Sequence, residues 1–287
     1  MRMFQASDDA MAGSGRFTNQ RGLAGPSRRG PGLNSSLTDA SYDRIGLGYN
    51  RFRKPDPRIQ ARIMSALDNS RTVLNVGAGT GSYEPNDRFL LAVEPSAEMI
   101  KQRPAGAARS IRAAAERLPL SDQSFDAAMA ILTIHHWSDP VAGLRELVRV
   151  ARRVVVFAYE PTVHRALWLW QEYFPAAATA SVRSELPIEQ VADIIGADQI
   201  ETVLVPHDCS DGFGPAYWRR PASYLDPDVR RCISGLARLP NKHLNPGLEH
   251  LRRDLGNGAW LNRHHDLLDC DAIDAGLRLV VRNRTGL

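Results

Sequence analysis

The sequence lacks the features of membrane-spanning, secreted and metal-cluster proteins. No apolar run reaches the roughly 20 residues that a transmembrane helix needs, and no charged segment followed by an apolar one opens the chain. Cys209, Cys232 and Cys270 are odd in number and far apart, which fits neither a disulfide framework nor a zinc cluster. These absences predict a soluble, cytoplasmic protein without a metal site and without a membrane partner.

The part of the chain that is expected to fold also lacks a strong charge of one sign. The 287 residues carry a formal net charge of +4, and five arginines against two aspartates place +3 of it in residues 1–38. This stretch is rich in Gly, Ser, Arg and Asn without apolar periodicity, so we interpret it as a disordered tail or a wrongly assigned start. The near-neutral remainder argues against a nucleic-acid partner, which would need a basic surface.

What the sequence does contain is a strand that ends in a glycine-rich loop. The apolar, β-branched run Thr72 to Val76 is typical of a buried parallel strand. Three glycines follow it at alternate positions: Gly77, Gly79 and Gly81. A second apolar run, Leu90 to Val93, ends in Glu94. Because neighbouring parallel strands end at one edge of a sheet, we expect Glu94 to offer its two oxygens to a ribose diol beside this loop.

The spacing of the glycines distinguishes two kinds of nucleoside ligand. A dinucleotide-binding loop reads Gly-x-Gly-x-x-Gly, whereas this loop reads Gly-x-Gly-x-Gly and continues with Ser82, Tyr83, Glu84 and Pro85. A carboxylate at Glu84 would repel a diphosphate at the start of a helix. The loop therefore favours a ligand that contains adenosine but no phosphate.

Four segments in order resemble class I S-adenosylmethionine (SAM) methyltransferases, and in particular their UbiE-like group. They are the glycine loop, Ala115 to Asp126, Thr133 to Trp137, and Gly143 to Val150. The resemblance implies that residues 39–287 form one α/β domain with a Rossmann-like, seven-stranded and mostly parallel sheet flanked by helices. It also implies SAM as the cofactor and a transfer of its methyl group.

The resemblance implies a set of SAM-binding residues as well. Tyr42 and Tyr49 lie in a segment similar to the family's N-terminal lid, whose tyrosines approach the methionine end of SAM; two rings packed on the domain surface would explain them equally well. Met99 corresponds to an apolar side chain against adenine, or else fills the core. Many relatives have an acidic residue at Ala114, so here Glu116 or the backbone must contact the adenine amino group. The other expected SAM contacts are Gly77, Gly79, Gly81, Glu94, Pro95, Ala115 and Thr133.

Two positions are candidates for a catalytic base. His136 follows the predicted fourth strand, Phe125 to Leu132, and therefore lies where ligands collect in such sheets. Packing against the following helix, or capping it, would also explain this histidine. His207 and Asp208 follow the predicted sixth strand, Ile200 to Val205, as a base and an orienting carboxylate, although neighbours in sequence point different ways on a strand.

Substrate recognition is expected from two regions after the fifth strand. The first is an aromatic group that forms either a wall for a planar acceptor or the core of a helix: Trp168, Trp170, Tyr173 and Phe174. The second is an insertion at about 207–272, before a seventh strand at Leu277 to Val281, which we interpret as a helical substrate cap. In this insertion, Arg219 and Arg220 either hold an anionic acceptor or neutralise nearby aspartates.

The sequence thus predicts a SAM-dependent methyltransferase that acts on an oxygen or nitrogen atom of a small molecule. Two alternatives remain. One is methylation of tRNA or another RNA, which some relatives perform. The other is a SAM-binding regulatory protein without turnover. The predicted catalytic residues are His136, His207 and Asp208.

Overall fold

The computed structural model describes residues 52–180 and 185–283. Residues 1–38, together with Tyr42 and Tyr49, lie outside this range, so the predictions made for them stay predictions. In the described part of the chain, none of the helices combines the length and the apolar character that crossing a bilayer would require.

A seven-stranded, mostly parallel sheet forms the centre of the fold, as predicted. The strands, with two short additional ones (β7 and β8), are β1 (Thr72–Val76), β2 (Phe89–Val93), β3 (Arg109–Ile111), β4 (Phe125–Ile131), β5 (Ala151–Tyr159), β6 (Gln199–Thr202), β7 (Val205–Pro206), β8 (Ala272–Ile273) and β9 (Leu277–Asn283). The order across the sheet is β3-β2-β1-β4-β5-β9-β6, and within this sheet only β9 runs antiparallel to its described neighbours, β5 and β6. In this register Val76 lies opposite Val93, so the glycine loop and Glu94 begin side by side.

Helices cover both faces of the sheet. They are α1 (Pro57–Leu67), α2 (Ala97–Lys101), α3 (Pro140–Val150), α4 (Pro161–Arg165), α5 (Pro175–Ala180), α6 (Ile188–Ile195), α7 (Pro227–Arg231), α8 (Ser234–Ala237), α9 (Asn241–Gly256) and α10 (Ala259–His264). Helix α1 begins as the sequence indicates: Asp56 accepts a hydrogen bond from the Arg58 amide at 3.0 Å and Pro57 takes the first helical position. Alternate residues of the strands enter two separate cores, one containing α1 and the cap, the other α3 and α6.

The C-terminal part of the chain differs from the prediction. Strand β6 ends at Thr202, and β7 leaves the main sheet to pair with β8, with Val205 opposite Ile273. The segment after β7 therefore does not begin at the carboxyl edge of the main sheet. The predicted helical cap contains two short helices, α7 and α8, followed by the longer α9. Residues 82–88 form turns, as the proline at position 85 indicates.

Candidate functional site

A deep cleft opens at the carboxyl ends of β1, β2, β4 and β5. The glycine loop and the end of β2 line one side, and Thr133 to Trp137 line its floor. The cap closes the other side with Phe213, Gly214 and residues 232–235. Together with the open space at its mouth, the cleft encloses about 1640 Å³. It reaches from the glycine loop to the cap.

Gly77 lets the loop turn tightly between β2 and Thr133. Its amide and that of Ala78 both donate to the Val93 carbonyl, at 2.8 and 3.0 Å. Its φ is +70°, in the left-handed region that favours glycine. A Cβ atom at this position would lie 2.9 Å from Thr133 Cβ and closer still to Thr133 Oγ1. Thr133 lines the cleft as expected, and here it fixes the size of the residue at position 77.

Glu94 is buried and holds the loop in place while it lines the cleft. One carboxylate oxygen accepts the Gly79 amide at 2.8 Å, and the other accepts the Ser96 amide at 2.9 Å. A carboxylate has about four acceptor positions, so it can hold the loop and also contact a ligand. Pro95 and Met99 also line the cleft, next to Glu94. This arrangement is compatible with the expected contact between Glu94 and a ribose diol.

Asn75 is a functional candidate that the sequence reasoning missed. Its Nδ2 donates to Glu84 Oε1 at 3.0 Å, and the other Glu84 oxygen accepts from Arg103 Nη2 at 2.6 Å. Asn75 Oδ1 is buried and has no hydrogen-bond partner among the described residues, although the side chain lines the cleft. A bound donor group would satisfy this oxygen. The signal in the sequence was a polar residue inside an otherwise apolar strand.

Three of the expected SAM contacts do not line the cleft in the described part of the chain. Gly81 makes room for an ion pair instead, because a Cβ atom there would lie 3.0 Å from Glu84 Oε2. Ala115 is buried in the second core. Glu116 accepts hydrogen bonds from the amide and hydroxyl of Ser138, both at 2.8 Å, and therefore fixes the turn before α3.

His207 and Asp208 are also outside the described lining of the cleft, and their role as a catalytic pair stays a prediction. Asp208 is largely exposed and pairs with Arg58 at the start of α1, at 2.8 Å. The Nδ1 atom of His207 lies 3.2 Å from the Asp271 carbonyl, next to β8. Because β7 pairs with β8 rather than extending the main sheet, both side chains lie away from the described cleft lining.

His136 does line the cleft, at the end of a 3₁₀ turn (Ile134–His136) that follows β4. Its Nδ1 atom lies 3.4 Å from Arg238 Nη2, and its ring centroid is 3.8 Å from that of His135. The predicted position at the carboxyl edge is therefore correct. Arg219 and Arg220 donate to the backbone carbonyls of Cys270 and Cys209, and neither pairs with an aspartate among the described residues.

Only Trp170 of the four aromatic residues lines the cleft in the described part of the chain. Trp168 donates its Nε1–H to the Trp218 carbonyl at 3.1 Å, and Tyr173 donates to Asp254 at 3.0 Å. Phe174 is completely buried. Core packing therefore explains three of these residues, whereas Trp170 forms part of the wall of the cleft.

The histidines around the cleft are held in the neutral form. Burial lowers the pKa of His135 to about 3 and that of His164 to about 4. Burial also lowers the pKa of His136 well below its usual value. The positive charges of Arg238 and Arg53 lower the pKa of the two neighbouring histidines further, because a cation disfavours a second cation close by.

These lowered pKa values predict a loss of stability in mild acid. Between pH 6.5 and 5 the unfolded chain binds protons at these histidines and the native protein does not. The contribution of these histidines to the free energy of unfolding is therefore fully present above pH 6.5 and is lost as the pH falls below it. We expect each histidine to contribute about 1 kcal/mol per pH unit. Urea denaturation at a series of pH values measures the free energy of unfolding. Its slope against pH should be smaller for His164→Gln than for the wild type. His243→Gln, at an exposed position of α9, is the control, and an unchanged slope in His164→Gln would contradict the prediction.

Comparison with known proteins agrees with this geometry. The family described as "Methyltransferase domain" matches residues 74–158. The crystal structure of a candidate methyltransferase from an antibiotic biosynthesis pathway of Anabaena variabilis is 32% identical, with a TM-score of 0.75, and the match covers 81% of this chain and 99% of that chain. The demethylmenaquinone methyltransferase of Mycolicibacterium vanbaalenii is 30% identical over 190 residues, 61% of this chain and 80% of that protein.

Shorter matches point the same way. An uncharacterized methyltransferase of Mycobacterium tuberculosis is 36% identical over 89 residues, which is 29% of this chain. The chain thus spans about a third of that relative's length, 36%. The longer matches and the strand order, together with the motifs in the sequence, agree on one family. The chain belongs to the class I SAM-dependent methyltransferases.

Proposed function

We propose that this protein transfers the methyl group of SAM to an oxygen or nitrogen atom of a small-molecule acceptor. The observation that carries this proposal is the single cleft that joins a nucleoside-binding edge, formed by the glycine loop and Glu94, to a second compartment under the cap. The name of the relative from Mycolicibacterium vanbaalenii, demethylmenaquinone methyltransferase, supports a small-molecule acceptor.

The residues of the cleft fit SAM. The lack of a side chain at Gly79 keeps its backbone open, and a Cβ atom there would already contact Met99 Cε at 3.4 Å. Met99 would lie against adenine, and the Glu94 carboxylate would accept the ribose hydroxyls. The unpartnered Asn75 Oδ1 would accept from the ammonium group of the methionine end. SAM supplies a methyl group that its positive sulfonium already activates.

The protein's own contribution is then to position the acceptor and to exclude water. His136 suits this task better than the predicted role of general base. Arg238 only donates hydrogen bonds, so the 3.4 Å contact favours the tautomer of the neutral imidazole that has its lone pair at Nδ1 and its proton at Nε2. In this tautomer Nδ1 would accept from Arg238 rather than remove a proton from the methyl acceptor. We propose a positioning role for His136.

Calorimetric titration with SAM and, separately, with NADH tests the cofactor assignment. The wild-type protein should bind SAM and not NADH. Glu94→Ala should weaken SAM binding by about 10- to 100-fold, which corresponds to about 1 to 3 kcal/mol, because a charged hydrogen-bond acceptor is lost. Glu98→Ala on α2 is the control, since it removes a carboxylate that lies outside the described cleft lining.

The outcomes separate the alternatives. An affinity of Glu94→Ala within twofold of the wild type would contradict the ribose contact, and no SAM binding by the wild type would contradict the proposed function. For a protein that binds SAM, methylation of small metabolites is then detected from the increase in mass of the product. Steeply salt-dependent tRNA binding with methylated tRNA would favour the RNA alternative instead. SAM binding without any methylated product would favour the regulatory alternative.

A further inference from the structure

A junction beside the cleft joins the start of the described chain to the cap. We name it the cap junction, and its two halves are residues 52–56 and residues 210–212. The Gly212 amide donates to the Phe52 carbonyl at 2.8 Å, and the Ser210 amide donates to the Asp56 carboxylate at 3.1 Å. Arg53, in the first half of the junction, lines the cleft. The cap junction therefore contributes to the wall of the compartment under the cap.

The hydroxyl of Tyr83 contacts both halves of the cap junction. It donates to Asp211 Oδ2 at 3.0 Å and accepts from the Asp56 amide at 3.3 Å. The other oxygen of Asp211 accepts from Arg53 Nε at 2.6 Å. The exposed fractions of Tyr83 and Asp211 are only 1% and 0%, so opening the junction would leave buried polar groups without partners. Tyr83 thus holds the two halves together.

Tyr83 also belongs to the segment that continues the glycine loop. The residue before it, Ser82, lines the cleft. The residue after it, Glu84, accepts from the cleft-lining Asn75 at 3.0 Å. Residues 82–88 form turns rather than a helix, and Tyr83 has a φ of +62°, which is unfavourable for a residue with a Cβ atom. The buried contacts of its side chain compensate for this backbone conformation.

The position of the Tyr83 hydroxyl therefore depends on the backbone beside the cofactor. A hydrogen bond weakens steeply when its donor and acceptor leave their optimal geometry. The hydroxyl can serve both halves of the cap junction only while residues 82–84 keep their position, and a ligand that rests on Ser82 and Asn75 restricts these residues. An occupied glycine loop thus favours the closed junction. The closed junction favours the ligand to the same extent, because coupling between two sites is reciprocal.

We propose that Tyr83 is a positioning residue that couples the binding of SAM to the closure of the cap junction. The contacts that carry this coupling run from Ser82 through the Tyr83 hydroxyl to Asp211 and Arg53. The inference rests on the proposed function for the position of SAM, and it adds an order of events to that function. The cofactor binds first, and its presence completes the wall against which the acceptor is then held.

Hydrogen–deuterium exchange of the full chain, with and without S-adenosylhomocysteine, tests the coupling in the wild type. The Ser210 and Gly212 amides donate across the cap junction, so their exchange reports its opening. A saturating concentration of the ligand should slow their exchange about fivefold or more, since couplings between two sites usually amount to about 5- to 150-fold. Calorimetry measures the binding itself. This comparison needs no variant, so it decides the coupling even if a substitution at Tyr83 prevents folding.

Two variants then locate the contact that carries the coupling. Tyr83→Phe keeps the ring and removes the hydroxyl. At a ligand concentration that saturates this variant, the two junction amides should exchange equally fast with and without ligand. Tyr173→Phe is the matched control, because its hydroxyl also donates to a buried aspartate, Asp254, which pairs with Arg263 outside the described cleft lining. Both variants should lower the melting temperature, but Tyr173→Phe should retain the slower exchange.

Three results would overturn the proposal. The first is a wild type that binds S-adenosylhomocysteine without slower exchange at the two junction amides. The second is slower exchange that persists in Tyr83→Phe, which would mean that the ligand acts on the cap junction directly. The third is an equal loss in Tyr173→Phe, which would assign the effect to overall stability.

Failure of the coupling can be distinguished from failure of the proposed function. A wild type that binds SAM and S-adenosylhomocysteine without any change at the junction amides keeps the methyltransferase assignment and loses only the role of Tyr83. A wild type that binds neither compound loses the proposed function, and the coupling with it.

Discussion

Replacing Asp211 by alanine is expected to lower the free energy of unfolding by about 3 to 5 kcal/mol, because it removes one partner of a buried ion pair. Asp211 is completely buried, and its oxygens accept from Arg53 Nε at 2.6 Å and from the Tyr83 hydroxyl at 3.0 Å. The Arg53 side chain is only 11% exposed. Without the carboxylate, a largely buried guanidinium loses its counter-ion and a buried hydroxyl loses its acceptor.

Asp208→Ala provides the matched control, three residues earlier in the same loop. Asp208 also pairs with an arginine, Arg58, but its side chain is 59% exposed and water replaces the lost contact. We expect no measurable change in stability for this variant. Urea denaturation of both proteins measures the difference, and equal losses in the two variants would show that burial does not govern the Asp211 pair.

The ion pair between Arg53 and Asp211 also lies beside the cleft. Arg53 lines the cleft while its guanidinium binds Asp211, and the Phe52 carbonyl accepts from the Gly212 amide at 2.8 Å. The start of the described chain is therefore fastened to the cap loop beside the acceptor compartment. We expect Asp211→Ala to weaken the binding of ligands in the cleft as well as to lower the free energy of unfolding.

The elements that the sequence predicted correctly are those whose signals are local. The continuous burial of the central strands follows from apolar runs of the right length, and the Asp56-Pro57 pair starts α1 through contacts within three residues. The glycine loop and Glu94 could be placed together because parallel strands in one sheet end at one edge.

The elements that the sequence predicted wrongly depend on contacts between distant residues. His207 and Asp208 were placed at the main sheet because Ile200 to Val205 reads as one strand, whereas β7 pairs with β8 across the whole insertion. Trp168 and Trp170 are residues of the same type in the same aromatic segment, so the sequence does not distinguish them. Only the position of the cap decides that one donates to a buried carbonyl and the other lines the cleft.

Gly77→Ala is the second substitution with a large expected effect, about 2 to 5 kcal/mol of unfolding free energy, since a left-handed backbone and a steric overlap with Thr133 both oppose it. SAM affinity should fall at least tenfold, because the steric overlap can be removed only if the loop or Thr133 moves within the cleft.

Gly106→Ala separates the two causes of this loss. Gly106 has a φ of +84°, but a Cβ atom there would meet no atom within 4 Å, so only the backbone cost of about 1 to 2 kcal/mol applies. In a Thr133→Gly background, which removes the overlapping side chain, Gly77→Ala should cost no more than Gly106→Ala does, and this double-mutant cycle measures the overlap alone. A full-sized loss in that background would mean that the backbone at Gly77, and not its contact with Thr133, requires glycine.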